Sequence, residues 1–233
     1  MLEALKEKVL RSNLALKESG LVILTWGNAS ERDESGKYMV IKPSGVDYST
    51  MTAADMVVVE IDTGKVVEGK YRPSSDAPTH LQLYRTYREV GGIVHTHSKW
   101  ATAFAEAGMP IRALGTTHAD CFFGHIPCTR DLTRAEIEGE YEKCTADVII
   151  ETVGEASPLD VPAILVKSHG PFTWGKDSTH AVEVAMTLET VAEMNFIAES
   201  LNPSLPDMDS NLLSKHYLRK HGKNAYYGQK TER

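Results

Sequence analysis

Three histidines are the residues of this chain best placed to do chemistry. His95 and His97 close the apolar run Gly92-Ile93-Val94. In a strand, residues i and i+2 point to one face, so both imidazoles project side by side. His169 follows a second apolar run, Ile164-Leu165-Val166, and precedes Gly170. If these two strands neighbour each other, three imidazoles converge. Three protein ligands with an open position is the pattern of a catalytic metal rather than a structural one. Asp76 is a candidate fourth ligand through oxygen. Its place before Ala77-Pro78 reads equally well as a helix cap. Cys121, Cys128 and Cys144 lack zinc-ligand spacing, so a thiolate site is not expected.

Other residues have the types that hold an anion. Gly27-Asn28, Ser44-Gly45 and Ser74-Ser75 are small polar pairs that offer hydroxyl, amide or backbone N–H donors. Each alone is an ordinary turn; together beside a metal they would form a substrate cradle. The segment Gly170-Pro171-Phe172-Thr173-Trp174-Gly175-Lys176 imitates a phosphate-binding loop and is set aside. Asp177 stands where such a loop needs a metal-binding hydroxyl, and Pro171 has no N–H to give.

These residues need elements to carry them. Leu2, Leu5, Val9, Leu10 and Leu14 predict a first helix stopping near Gly20. Tyr38–Ile41 reads as a strand ending in the Pro43-Ser44-Gly45 turn. Met56–Ile61 reads as a strand of β-branched residues, turning at Asp62-Thr63-Gly64 into Lys65–Val67. Helices are predicted over Ala77–Val90, from a Ser98 cap through Ala107, and over Thr133–Lys143 with Thr133 and Glu136 as a capping box. A strand over Val161–Val166 follows, then a long helix over Ser178–Ser200 and a last one over about Met208–His221. Intermixed strands and helices with an early hairpin predict a single α/β domain, its central, mainly antiparallel sheet flanked by helices.

Composition narrows the classes. The chain has 233 residues, 25 Lys+Arg against 32 Asp+Glu, and a net charge of −7. That balance argues against a general nucleic-acid binder, which neutralises phosphates with clustered cations. The basic run Lys215–Lys223 is the local exception, read evenly as a solvated helix end or as charge for a phosphate. No apolar stretch reaches the roughly 18 residues of a membrane span. The amphipathic N-terminus and an odd cysteine count lead us to expect a cytoplasmic protein.

Read in order, Thr25-Trp26-Gly27-Asn28-Ala29-Ser30, Lys42-Pro43-Ser44-Gly45-Val46, Ser74-Ser75-Asp76-Ala77-Pro78-Thr79-His80 and His95-Thr96-His97-Ser98 resemble the class II aldolase/adducin-type family. Gly115-Thr116-Thr117-His118-Ala119-Asp120, Ile126-Pro127-Cys128-Thr129-Arg130 and the tail from Lys215 through Tyr226-Tyr227-Gly228 resemble its epimerase branch, over nearly the whole chain. The resemblance implies inversion at C4 of a ketopentose 5-phosphate, in arabinose-type pentose catabolism. It implies one zinc ion per subunit on His95, His97 and His169, with Asp76 at the metal. It implies substrate binding by Asn28, Ser44, Gly45, Ser74 and Ser75 beside Gly27, and Asp120 and Tyr227 as the acid/base pair. It further implies a homotetramer whose C-terminal helix and tail, about 207–233, bring Tyr227 to a neighbouring subunit's site. A Glu in place of Asp76 marks the related aldolases, and the shorter carboxylate favours the epimerase. An aldolase that releases its fragments, and a metal-free scaffold like adducin heads, are the alternatives.

Overall fold

Along the sheet strands, alternate residues belong to different cores, and that alternation sets the layering. The computed structural model describes residues 2–227. Helix α1 spans Glu3–Glu18; β1 spans Asn28–Arg32, β2 Tyr38–Ile41, β3 Val57–Glu60 and β4 Val66–Glu68. Next come α2 (Ala77–Thr86), β5 (Gly92–His95), α3 (Lys99–Ala107), α4 (Thr116–Ala119), α5 (Arg134–Glu138) and α6 (Tyr141–Val153). The chain ends with β6 (Ala163–Val166), β7 (Gly170–Gly175), α7 (Ser178–Leu201) and α8 (Ser210–His221). The strands form a seven-stranded sheet in the order β4-β3-β2-β1-β5-β7-β6. Each neighbouring pair is antiparallel.

Met39, Ile41, Val57, Val59, Ile93, Ile164, Val166, Phe172 and Trp174 pack on one face with Leu81 and Tyr84 of α2 and Ala146 and Ile149 of α6. Val40, Val58 and Val94 face the other way, against Val9 and Leu16 of α1 and Ala181 and Ala185 of α7. Further along that face, Ala163 and Leu165 meet Ala101 and Phe104 of α3 and Val184, Leu188 and Val191 of α7. Each strand therefore feeds two cores through its period of two. The result is a three-layer α/β domain, as the sequence predicts.

Five elements differ from the sequence reading. Strand β1, strand β7 and the short helix α4 were not anticipated. The helix expected over Thr133–Lys143 is two helices, parted at Gly139 and Glu140, and the second runs on to Val153. The helix expected to reach Val90 stops at Thr86, where Tyr87 turns extended (φ −108°, ψ 91°) and stacks on Trp174. The capping box of Thr133 and Glu136 is present. Ser98 stands at the N-terminus of α3 but makes no side-chain cap. Both carboxylate oxygens of Glu189, on α7, accept from Trp100 N (2.8 Å) and Ala101 N (3.0 Å) instead.

Candidate active site

The metal-type residues meet where the ends of neighbouring strands meet. His95 closes β5, with Asn28 of β1 opposite it on one side and Phe172 of β7 on the other. The convergence foreseen for His169 arises differently from the expectation. The strand before it, β6, does not touch β5; β7 lies between them. His169 sits in the turn of the β6–β7 hairpin, just before β7, and so arrives at the end of β5. Ser168 takes a left-handed backbone (φ 60°) in that turn, which costs a non-glycine residue roughly 1–2 kcal/mol. Gly170 is required there: a Cβ would lie 2.8 Å from the Thr96 carbonyl and 3.6 Å from the His95 ring.

The three imidazoles offer ligand atoms within 4.8 Å of one another. His95 Nδ1 is 3.0 Å from the Pro171 carbonyl, which can only accept, so Nδ1 carries a proton and the neutral ring has Nε2 bare. That bare nitrogen lies 3.1 Å from His97 Nε2. The Phe172 ring stacks on His95 at 4.2 Å. Burial and the neighbouring histidines hold the His97 pKa low and bring His169 to about 4. Both rings are therefore neutral at pH 7, the form a divalent cation takes as ligand. The donor set fits a metal ion.

The two readings of Asp76 can be separated. It stands at the N-terminus of α2, but its side chain makes no cap. Its carboxylate turns into the site, accepting from Asn28 Nδ2 at 2.6 Å and from Ser74 Oγ at 3.4 Å. Burial works to raise its pKa, but the fields of His95 and His80 and the Asn28 hydrogen bond prevail and lower it. Asp76 is thus an anion beside the histidines.

The anion-type residues are gathered around the same point. Ser44 N donates to Arg72 O at 3.0 Å and Ser74 N to Lys42 O at 2.9 Å, so the 42–45 and 72–75 loops lie together. Gly27, Asn28, Ser44, Gly45, Ser74, Ser75, Asp76, His95, His97 and His169 all line one cavity of about 540 Å³. Six further walls had no site role in the sequence reading: Thr25, Trp26, Lys42, Pro43, Tyr141 and Glu142. Lys42 is the cation lining the cavity among the described residues. It is buried, its Nζ donating to Thr25 O (3.2 Å) and Pro43 O (3.3 Å) above the Tyr48 ring, and burial lowers its pKa to about 8. A lysine directly after the apolar strand Met39-Val40-Ile41 was the available signal. Tyr141 and Glu142 open α6, which packs on α2 and was not foreseen as a helix of its own.

Asp120 and Tyr227 do not line this cavity. Elsewhere on the chain, both meet the basic end of α8. Asp120 accepts from Arg219 Nη2 at 2.7 Å and His216 Nδ1 at 3.0 Å, with Lys220 Nζ at 3.4 Å. Burial opposes its charge, but these partners win and lower its pKa. The same Arg219 and Lys220 lie 4.9 and 4.4 Å from the Tyr227 ring. Asp120 belongs to a second cavity, of about 400 Å³. His118, buried at the start of this segment, donates from Nε2 to the Gly124 carbonyl at 2.6 Å and holds the turn. Gly228 lies outside the described residues.

The sequence profile of the class II aldolase and adducin N-terminal domain matches residues 7–196, and the chain belongs to that family. Metal-dependent aldolase and epimerase chemistry is what the family's fold supports. An L-fuculose 1-phosphate aldolase is similar in structure, with a TM-score of 0.77 and 24% identity over 91% of this chain and 94% of its own. The L-fuculose 1-phosphate aldolase of Glaciozyma antarctica has a TM-score of 0.77 at 20% identity, over 96% of this chain and 84% of its own. That of Thermus thermophilus has a TM-score of 0.67 at 23% identity, over 88% and 100%. At such identities these likenesses speak to the fold. No helix among the described residues is long and apolar enough to cross a membrane.

Proposed function

We propose that this chain is a zinc-dependent L-ribulose-5-phosphate 4-epimerase. The observation that supports it most is the single cavity in which three converging imidazoles, a carboxylate and a donor-rich phosphate cradle meet. The identity of that carboxylate, Asp76 rather than Glu, favours epimerisation over aldol release. His95, His97 and His169 would hold the ion, with Asp76 beside them. The ion would supply Lewis acidity at the ketone end of the sugar.

The C4 hydrogen is not acidic, because it is not α to the C2 carbonyl. The C4 hydroxyl is β to that carbonyl. When a base takes its proton, the C3–C4 bond breaks and its electron pair passes toward C2. The fragments are the enediolate of dihydroxyacetone and glycolaldehyde phosphate. If the aldehyde turns and the bond re-forms on its other face, the new C4 oxygen takes a proton from a second group. Two acid/base residues, one per face, are needed. Asp120 and Tyr227 have suitable types. Because they lie away from this chain's own cavity, both would be supplied to it by a neighbouring subunit of a homotetramer. Asn28, Lys42, Ser44, Gly45, Ser74 and Ser75 would keep the phosphate, so that the fragments recombine without escaping. Arabinose-type pentose catabolism in the cytoplasm is the setting such a reaction fits.

The test is a coupled assay of D-xylulose 5-phosphate formed from L-ribulose 5-phosphate, run before chelation, after it, and after zinc is restored. Activity that disappears and returns supports the proposal. Accumulation of free ketone and aldehyde fragments would replace it with an aldolase. Protein that assembles but binds no metal and turns over nothing would replace it with a scaffold.

A further inference from the structure

An imidazole can give one nitrogen to a cation only if its proton sits on the other, so whatever faces the other nitrogen decides how well the ligand is prepared. For His95 that partner is the Pro171 carbonyl, a main-chain group no side-chain substitution removes. For His169 it is a side chain. The Tyr141 hydroxyl lies 3.4 Å from His169 Nδ1, with the two rings 6.2 Å apart and inclined at 34°.

Tyr141 is itself firmly set. It is the first residue of α6, and its carbonyl accepts from Thr145 Oγ1 at 2.9 Å. The next carbonyl, that of Glu142, accepts from Thr79 Oγ1 of α2 at 2.6 Å. Helix α2 begins just after Asp76, so the α2–α6 pair ties the carboxylate and the tyrosine of the cavity to one another.

We propose that Tyr141 is a positioning residue: its hydroxyl oxygen accepts the Nδ1–H of His169 and holds the tautomer whose bare Nε2 faces His95 and His97. This use of the oxygen leaves the phenolic proton free, and Tyr141 lines the cavity, so that proton is available to an oxygen of the bound sugar. The inference rests on the metal-site reading above and assigns a residue outside the ligand set.

The test is zinc affinity, measured on the full-length protein by competition with a chromogenic chelator, for wild type and Tyr141→Phe. Loss of an outer partner of this kind weakens metal binding by about 10–100-fold. We expect that loss in Tyr141→Phe with an unchanged thermal midpoint for the metal-free protein, together with a shifted absorption spectrum when cobalt replaces zinc. Equal zinc affinity in the two proteins overturns the inference. A second measurement needs no variant. Nitrogen-15 spectra of histidine-labelled, metal-free wild type should show His169 protonated at Nδ1, and protonation at Nε2 overturns the inference even if Tyr141→Phe fails to fold. Wild type that binds no zinc would instead remove the metal-site reading itself.

Discussion

Replacing Glu189 should loosen the protein near the histidines without touching them. Helix α3 begins at Lys99, two residues after His97, and its second and third amides are satisfied by Glu189 of α7 at 2.8 and 3.0 Å. Hydrogen bonds to a charged group contribute about 1.5–3 kcal/mol each, and a buried amide left unpaired costs about 1–3 kcal/mol. Ala101 is fully buried, whereas Trp100 is partly exposed and its amide can recover some hydration. The two bonds at their lower figure come to about 3 kcal/mol, and rehydration of the Trp100 amide brings the expected loss for Glu189→Ala to about 2–3 kcal/mol. For a chain of this size that is a fall in midpoint of about 5–10 °C. Glu189→Gln keeps one acceptor and should lose about 1 kcal/mol. Ser98→Ala is the control, since Ser98 makes no cap. Urea unfolding of the metal-free protein at fixed protein concentration gives the numbers. If Glu189→Ala lies within about 0.5 kcal/mol of wild type, the ordinary range for neutral surface changes, the carboxylate does not hold α3.

Further outcomes follow from the proposed reaction. Lys42→Met removes the cation of the cavity and should raise KM for the sugar phosphate about 10–100-fold, as loss of one charge-assisted bond does, with kcat less affected. Burial lowers the Lys42 pKa to about 8, so the free enzyme loses this charge as pH rises past that value. Wild-type kcat/KM should therefore fall above about pH 8. Lys42→Met should lack that limb, and an identical profile in both enzymes would refute the assignment. Tyr227→Phe and His97→Ala should each be nearly inactive. Co-expressed in equal amounts, they should regain about a quarter of wild-type activity, the chance that an intact histidine set meets an intact tail in a symmetric assembly. No recovery in isolated mixed oligomers would mean that each chain completes its own site.

The apolar periodicities made most of the frame legible, and the parts that were not have definite physical reasons. Strand β1, Asn28-Ala29-Ser30-Glu31-Arg32, shows no apolar alternation, yet its first four residues are buried. Its polar groups are satisfied by remote partners. Ser30 Oγ meets His80 Nδ1 at 2.7 Å and Tyr84 Oη at 2.9 Å, while Glu31 accepts from Ser178 N at 2.9 Å at the start of α7. A local reading cannot see such partners. Strand β7 carries Pro171 between glycine and aromatic residues and so reads as a loop. Its proline carbonyl instead accepts from Thr96 N and faces His95 Nδ1. Among the site residues, the histidines were legible because their type and their place at strand ends both show in the sequence. Lys42 and Tyr141 act through burial and approach, which composition does not encode. The separation of Asp120 from the histidines is a property of chain path, invisible to the motif in which it was found.

Strand β5 also behaves as a ruler. Its four residues are buried between β1 and β7, and its start is clamped: a Cβ on Gly92 would lie 2.2 Å from the backbone at Asp177 and Ser178. At its other end stands His95. With a fixed origin and a period of two, adding or deleting one residue within β5 would send the imidazole to the opposite face of the sheet. Descendants of this chain must therefore inherit the interval from the Gly92 clamp to the His95 ring unaltered.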